Sequence, residues 1–93
     1  MIKFTLYSRT YCHLCDDMLA ALHALNISEA HSVSVVDVDA DALLLAQYDE
    51  LVPVLVAGKG ARPAQQLCHY FLDEAAVRAF VAGAESDVRR EES

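Results

Sequence analysis

The stretch Ile2-Lys3-Phe4-Thr5-Leu6-Tyr7-Ser8-Arg9-Thr10-Tyr11-Cys12-His13-Leu14-Cys15 decides the fold. Its first half alternates, with Ile2, Phe4 and Leu6 set against Lys3 and Thr5, the period of a strand with one buried face. Ser8-Arg9-Thr10 breaks that period. From Cys15 onward Met18, Leu19, Leu22 and Leu25 follow the spacing of one helical face. Asn26, which tolerates left-handed backbone, is expected to end the helix. A Cys-x-x-Cys pair therefore falls where a strand hands over to a helix.

Downstream, Ser32 to Asp39 carries Val33, Val35, Val36 and Val38, a second strand with apolar residues pointing both ways and expected to be covered on both faces. Asp39-Ala40-Asp41 opens a short helix running through Leu44 to Tyr48, its acids suited to the positive helix start. Leu51 to Ala57 reads as a third strand with Pro53 near its beginning, and Gly58-Lys59-Gly60 as a turn. Gln65 to Tyr70 is a weaker fourth strand. Asp73 is an expected N-cap, and Val77, Phe80, Val81 and Ala84 share a face of a last helix. The order is β-α-β-α-β-β-α. Its first two strands pair in parallel through a right-handed crossover, and its last two form a hairpin. This is the layout of an α/β, thioredoxin-like fold: a four-stranded mixed sheet with helices on both faces. One domain is expected over residues 1–83, followed by a polar, frayed tail over 84–93.

The bulk properties agree with one folded domain. The 93 residues are 55% hydrophobic and 23% charged, enough apolar surface for a core. A formal charge of -7 disfavours nucleic acid and anionic membranes and selects no partner of its own. No continuous apolar run has the length of a signal peptide or a membrane span, so a cytoplasmic protein is expected. Three cysteines, an odd number, argue against a disulfide framework and toward redox or metal chemistry.

The position of Cys12 carries the chemistry. Backbone N–H groups at a helix start lack intrahelical partners, and the dipole there is positive, so a Cys12 thiolate can be stabilised by both. The thiolate is the attacking species in disulfide exchange. Cys15, one turn on, is in disulfide reach and faces the helix interior, as a resolving thiol should. A zinc site needs further ligands, and only Cys68 and scattered histidines are on offer. An inert pair is the remaining alternative.

Around the pair, Arg9 either supports the thiolate and holds a substrate carboxylate or is a solvated surface cation. Tyr11, His13 and Leu14 are expected to meet substrate; His13 favours a thiolate if protonated. Asp16 and Asp17 suit a helix start but oppose a nearby thiolate. A cis Val52-Pro53 bond would turn the strand toward the cysteines and free the Val52 backbone to bond an extended substrate. Cis forms are only about 5–6% of X–Pro bonds, so an ordinary trans proline stays open. Cys68 reads as a small buried hydrophobe. The Met18-Leu22-Leu25 stripe and the Phe80 face read as core, and His23, His31 and His69 show no ligand spacing.

The segment Leu6 to Asp16 resembles the active-site segment of glutaredoxins, and Leu51-Val52-Pro53-Val54 resembles their cis-proline segment. The similarity is nearest to small bacterial glutaredoxin-like proteins with a Cys-x-Leu-Cys-Asp start, and it spans about residues 1–82. It implies a thioredoxin fold, a cis Pro53, Cys12 as nucleophile, Cys15 as resolving thiol, and Arg9 near a glutathione carboxylate. The chain departs from glutaredoxins in two places. His13-Leu14 replaces their Pro-Tyr, and Tyr70-Phe71-Leu72-Asp73 stands where they carry a glutathione-binding Gly-Gly segment. Only Asp73 keeps the expected residue type there, and the bulky side chains before it are placed to occlude the γ-glutamyl end.

The resulting expectation is a monomeric thiol–disulfide oxidoreductase with no bound cofactor and no resident metal. Its partners would be protein disulfides or glutathione mixed disulfides, with glutathione a possible co-substrate. The rival functions are a thioredoxin-fold binding module with dormant cysteines and a glutathione-assisted iron–sulfur carrier.

Overall fold

A computed structural model describes residues 1–60 and 63–83. In chain order it comprises β1 (Ile2–Ser8), α1 (His13–Ala24), β2 (His31–Asp37), a 3-10 turn (Val38–Ala40), α2 (Ala42–Tyr48), β3 (Val54–Lys59), β4 (Gln65–His69) and α3 (Glu74–Gly83). The four strands form one sheet in the order β2-β1-β3-β4. β1 and β2 are parallel, whereas β3 runs antiparallel to both β1 and β4. The expected α/β architecture is the observed one. The tail 84–93 lies outside the described residues.

The alternation in β1 places Ile2, Phe4 and Leu6 in the core beside Leu55 and Ala57 of β3. Met18 and Leu22 of α1 and Val77 and Val81 of α3 close over this face. Tyr7 points to the opposite face and stacks on Tyr48 of α2, with ring centroids 4.5 Å apart. Helices thus cover both faces.

Several boundaries differ from the sequence expectation, each for a local reason. β2 ends at Asp37 rather than Asp39, because the Asp37 carboxylate accepts the Asp39 N–H and turns the chain. The helix after it starts at Ala42, because Asp41 and not Asp39 is its cap; the Asp41 carboxylate accepts from Leu43 and Leu44. Leu51 and Val52 donate back to the Tyr48 carbonyl, so they finish the α2 turn and β3 begins only at Val54. Gly58 and Lys59 still pair with Lys3 and Ile2, which leaves Gly60, at φ 59°, as the first turning residue. β4 stops at His69 because Tyr70 adopts φ 66°.

The expectation that β2 is buried on both faces is overturned. It is an edge strand, and Val35 is 55% exposed. The strand buried on both faces is β3, central in the sheet, where Val54, Leu55, Val56 and Ala57 are all buried.

Candidate active site

β1 delivers the chain to Ser8, and Arg9-Thr10-Tyr11 turns it into α1. Tyr11 takes φ 61° and stands 99% exposed. Cys12 is the N-cap of α1, with extended backbone at φ -109° and ψ 105°. Its Sγ accepts the N–H of Cys15 at 3.1 Å, and its carbonyl accepts the N–H of Asp16 at 3.2 Å. The sulfur therefore takes the place usually held by a serine or aspartate oxygen and satisfies a helix-start donor. A disulfide joins Cys12 to Cys15 across a Cα–Cα distance of 5.2 Å. Cys15 is buried at 4% exposure, while Cys12 is half-buried. One sulfur faces outward and the other lies beneath it. His13 and Leu14, between them, are exposed.

The Val52–Pro53 segment approaches the same end of the sheet. Val54 pairs with Tyr7, which sets Pro53 at the level where β1 gives way to the Cys12 turn. The Val52–Pro53 peptide bond is cis, and Pro53 is fully buried. The Pro53 carbonyl accepts the Tyr70 N–H at 2.8 Å, and the Tyr70 hydroxyl donates to the Glu50 carbonyl at 2.6 Å. Tyr70 thus ties the end of β4 to both sides of the proline. The sequence reading missed this role for Tyr70, and no local pattern marks it. Phe71, next to it, is 68% exposed.

Arg9, for which both a substrate-binding and a surface role stood open, is paired with two carboxylates of its own chain. It grips Asp39 with two hydrogen bonds, from Nε at 3.2 Å and a terminal nitrogen at 2.9 Å. Its other terminal nitrogen reaches Asp49 at 2.9 Å. Asp39 above all raises the guanidinium pKa further; desolvation opposes it, and Asp49 adds a lesser raising effect. Arg9 is thus drawn toward the segment after β2 and the end of α2. Asp73 caps α3: its carboxylate accepts from Ala76 at 3.0 Å and its carbonyl from Val77 at 3.1 Å. Cys68 is a free thiol packed against the core, and burial pushes its pKa up while a backbone hydrogen bond at Asp73 pulls partly the other way. Among the described residues no group of three or more His, Cys, Asp or Glu side chains is gathered to hold a metal ion. No described helix is long and apolar enough to cross a membrane.

Comparison with known proteins matches residues 3–82 to the glutaredoxin-like domain family (DUF836). The chain belongs to this family. Among solved structures, this glutaredoxin-like chain is similar to the Nitrosomonas europaea protein Ne2328, with 35% identity and a TM-score of 0.74 over 85% of this chain and 89% of that one. The X. campestris protein XcR50 shares 31% identity at a TM-score of 0.60, over 86% of this chain and 96% of that one. Chloroplastic thioredoxin z, at 21% identity and a TM-score of 0.69, covers 92% of this chain and 80% of its own, and establishes the thioredoxin fold alone. No curated protein matches the glutaredoxin-like chain in sequence.

Proposed function

We propose that this glutaredoxin-like domain is a cytoplasmic, monomeric thiol–disulfide oxidoreductase that reduces protein disulfides or glutathione mixed disulfides. The observation that carries the reading is the Cys12 sulfur acting as helix cap, bonded to the Cys15 N–H, with Cys15 buried behind it. A thiolate at that cap gains from the N–H donor and the helix dipole, and so is populated near neutral pH.

In the reduced dithiol, the Cys12 thiolate attacks one sulfur of a substrate disulfide. A Cys12–substrate bond forms, and the other substrate sulfur leaves as a thiolate that takes a proton from water. The Cys15 thiol then loses its proton and attacks Cys12 Sγ, releasing the second substrate thiol. The substrate has gained two electrons and the protein is left with the Cys12–Cys15 disulfide. An external thiol, glutathione among the candidates, returns the dithiol form. No bound cofactor enters any step. Val52, beside Pro53, offers its carbonyl to an extended substrate, its N–H being bonded to Tyr48, with Tyr11, His13 and Leu14 flanking the reacting sulfur.

The test is reduction of a peptide disulfide by wild type, Cys12→Ser and Cys15→Ser. Exchange should vanish in Cys12→Ser. Cys15→Ser should stop at a mixed disulfide, visible by mass as a peptide adduct on Cys12. Full exchange by Cys12→Ser would overturn the reading in favour of a binding module with dormant cysteines.

A further inference from the structure

The charges of this domain are separated along the sheet. Among the described residues, every carboxylate side chain except Glu29 lies at the end that carries the Cys12–Cys15 pair. Asp16 and Asp17 sit on the first turns of α1, a group of acids occupies the segment 37–50, and Asp73 and Glu74 open α3. The cations gather elsewhere. Lys3 and Lys59 pair with Gly58 and Ile2 at the opposite end of the β1–β3 ladder. Arg78 donates to the Leu25 carbonyl at the far end of α1 and also pairs with Glu74 at 2.8 Å, so Glu74 adds little to the acidic field. Arg9 is the one lysine or arginine at the cysteine end among the described residues, and Asp39 and Asp49 neutralise it. A substrate disulfide approaching Cys12 therefore meets an acidic rim in which, among the described residues, no lysine or arginine is free and the exposed imidazole of His13 is the nearest basic group.

The same end displays side chains suited to a polypeptide. Tyr11 and Phe71 project into solvent and Leu14 is exposed, so the rim is apolar near the sulfur and acidic around it. Tyr70 is fixed there by its bonds to the Pro53 and Glu50 carbonyls, and Phe71 beside it is largely exposed.

Resting on the redox reading above, we infer that the Cys12–Cys15 pair selects polypeptide disulfides flanked by basic residues. Glutathione, whose two carboxylates outnumber its ammonium, is disfavoured by the same field. Such a field acts mainly on encounter and fades as salt shortens the Debye length.

Pre-reduced protein and three peptides test this in single turnover. Each peptide bears one cysteine as a 2-thiopyridyl mixed disulfide, flanked by paired Lys, paired Gln or paired Glu. Cys12 displaces pyridine-2-thione, Cys15 then displaces the peptide thiol, and the two protein thiols supply both electrons. At about 10 mM ionic strength the Lys peptide should react about tenfold or more faster than the Glu peptide, a ratio that collapses toward one near ~0.5 M. The double variant Asp17→Lys/Glu50→Lys, at two exposed positions, should lower the low-salt ratio several-fold while circular dichroism shows the fold intact. Equal rates for the three peptides, or a ratio indifferent to salt or to the double variant, overturn this inference and leave the redox reading standing. Failure to reduce any of the three overturns both.

Discussion

The backbone N–H of Cys15 donates to the Sγ of Cys12 at 3.1 Å, so the first cysteine caps the helix that buries the second. Two residues of one motif are thereby made unequal by the backbone alone. Cys12 stays partly exposed and keeps a fixed backbone donor at its sulfur, which in the proposed reaction would hold its charge. Cys15 is held where only a sulfur already attached to Cys12 can be reached.

That inequality sets the expected behaviour of the two thiols toward alkylation. In reduced protein at neutral pH, iodoacetamide should label Cys12 at least tenfold faster than Cys15, as read by peptide mass mapping. Similar rates would mean that the burial of Cys15 does not protect it.

Cys68 should behave as a third kind of thiol. Burial raises its pKa, so its alkylation midpoint in the folded protein should lie above that of the same residue in urea. A thiol is neutral when protonated, so the stability it contributes is present below its unfolded pKa and lost as pH rises through its higher folded pKa. Cys68→Ser should retain disulfide exchange, because Cys68 pairs with Leu55 inside the sheet.

Arg9 should matter to stability through its partners. Arg9→Ala removes the link between the end of β1 and both Asp39 and Asp49, and should lower Tm by a few degrees in low salt. Exposed ion pairs are screened, so the deficit should shrink in ~0.5 M salt. A deficit equal at both salt concentrations would show that Arg9 acts by packing instead.

The core supplies the largest single cost. Phe4 is 1% exposed and meets His31 edge-on at 5.8 Å. Phe4→Ala should cost about 3–5 kcal/mol in urea denaturation.

How much of this was legible in the residues follows from which forces are local. The β1 alternation, the α1 stripe and the apolar run of β3 each encode burial directly, and all three elements formed. The position of Cys12 at a helix start was readable for the same reason. The valines at 33, 35 and 36 misled, because apolar residues on both faces look alike in a central strand and in an edge strand such as β2. Successive aspartates at 37, 39 and 41 left the helix start ambiguous, since each is a competent cap and backbone geometry chose Asp41. The partners of Arg9 lie 30 and 40 residues away, and Tyr70 meets Glu50 across 20. Such contacts depend on the assembled sheet, which no short window of sequence contains.

The proposed reaction depends on the ionisation of Cys12. Its alkylation rate should be followed against pH in a Cys15→Ser/Cys68→Ser background, where only one thiol remains. The expected midpoint lies below the value of about 8.5 for a free cysteine thiol. A midpoint at or above that value would contradict the account, because the helix start would then do nothing to hold the charge.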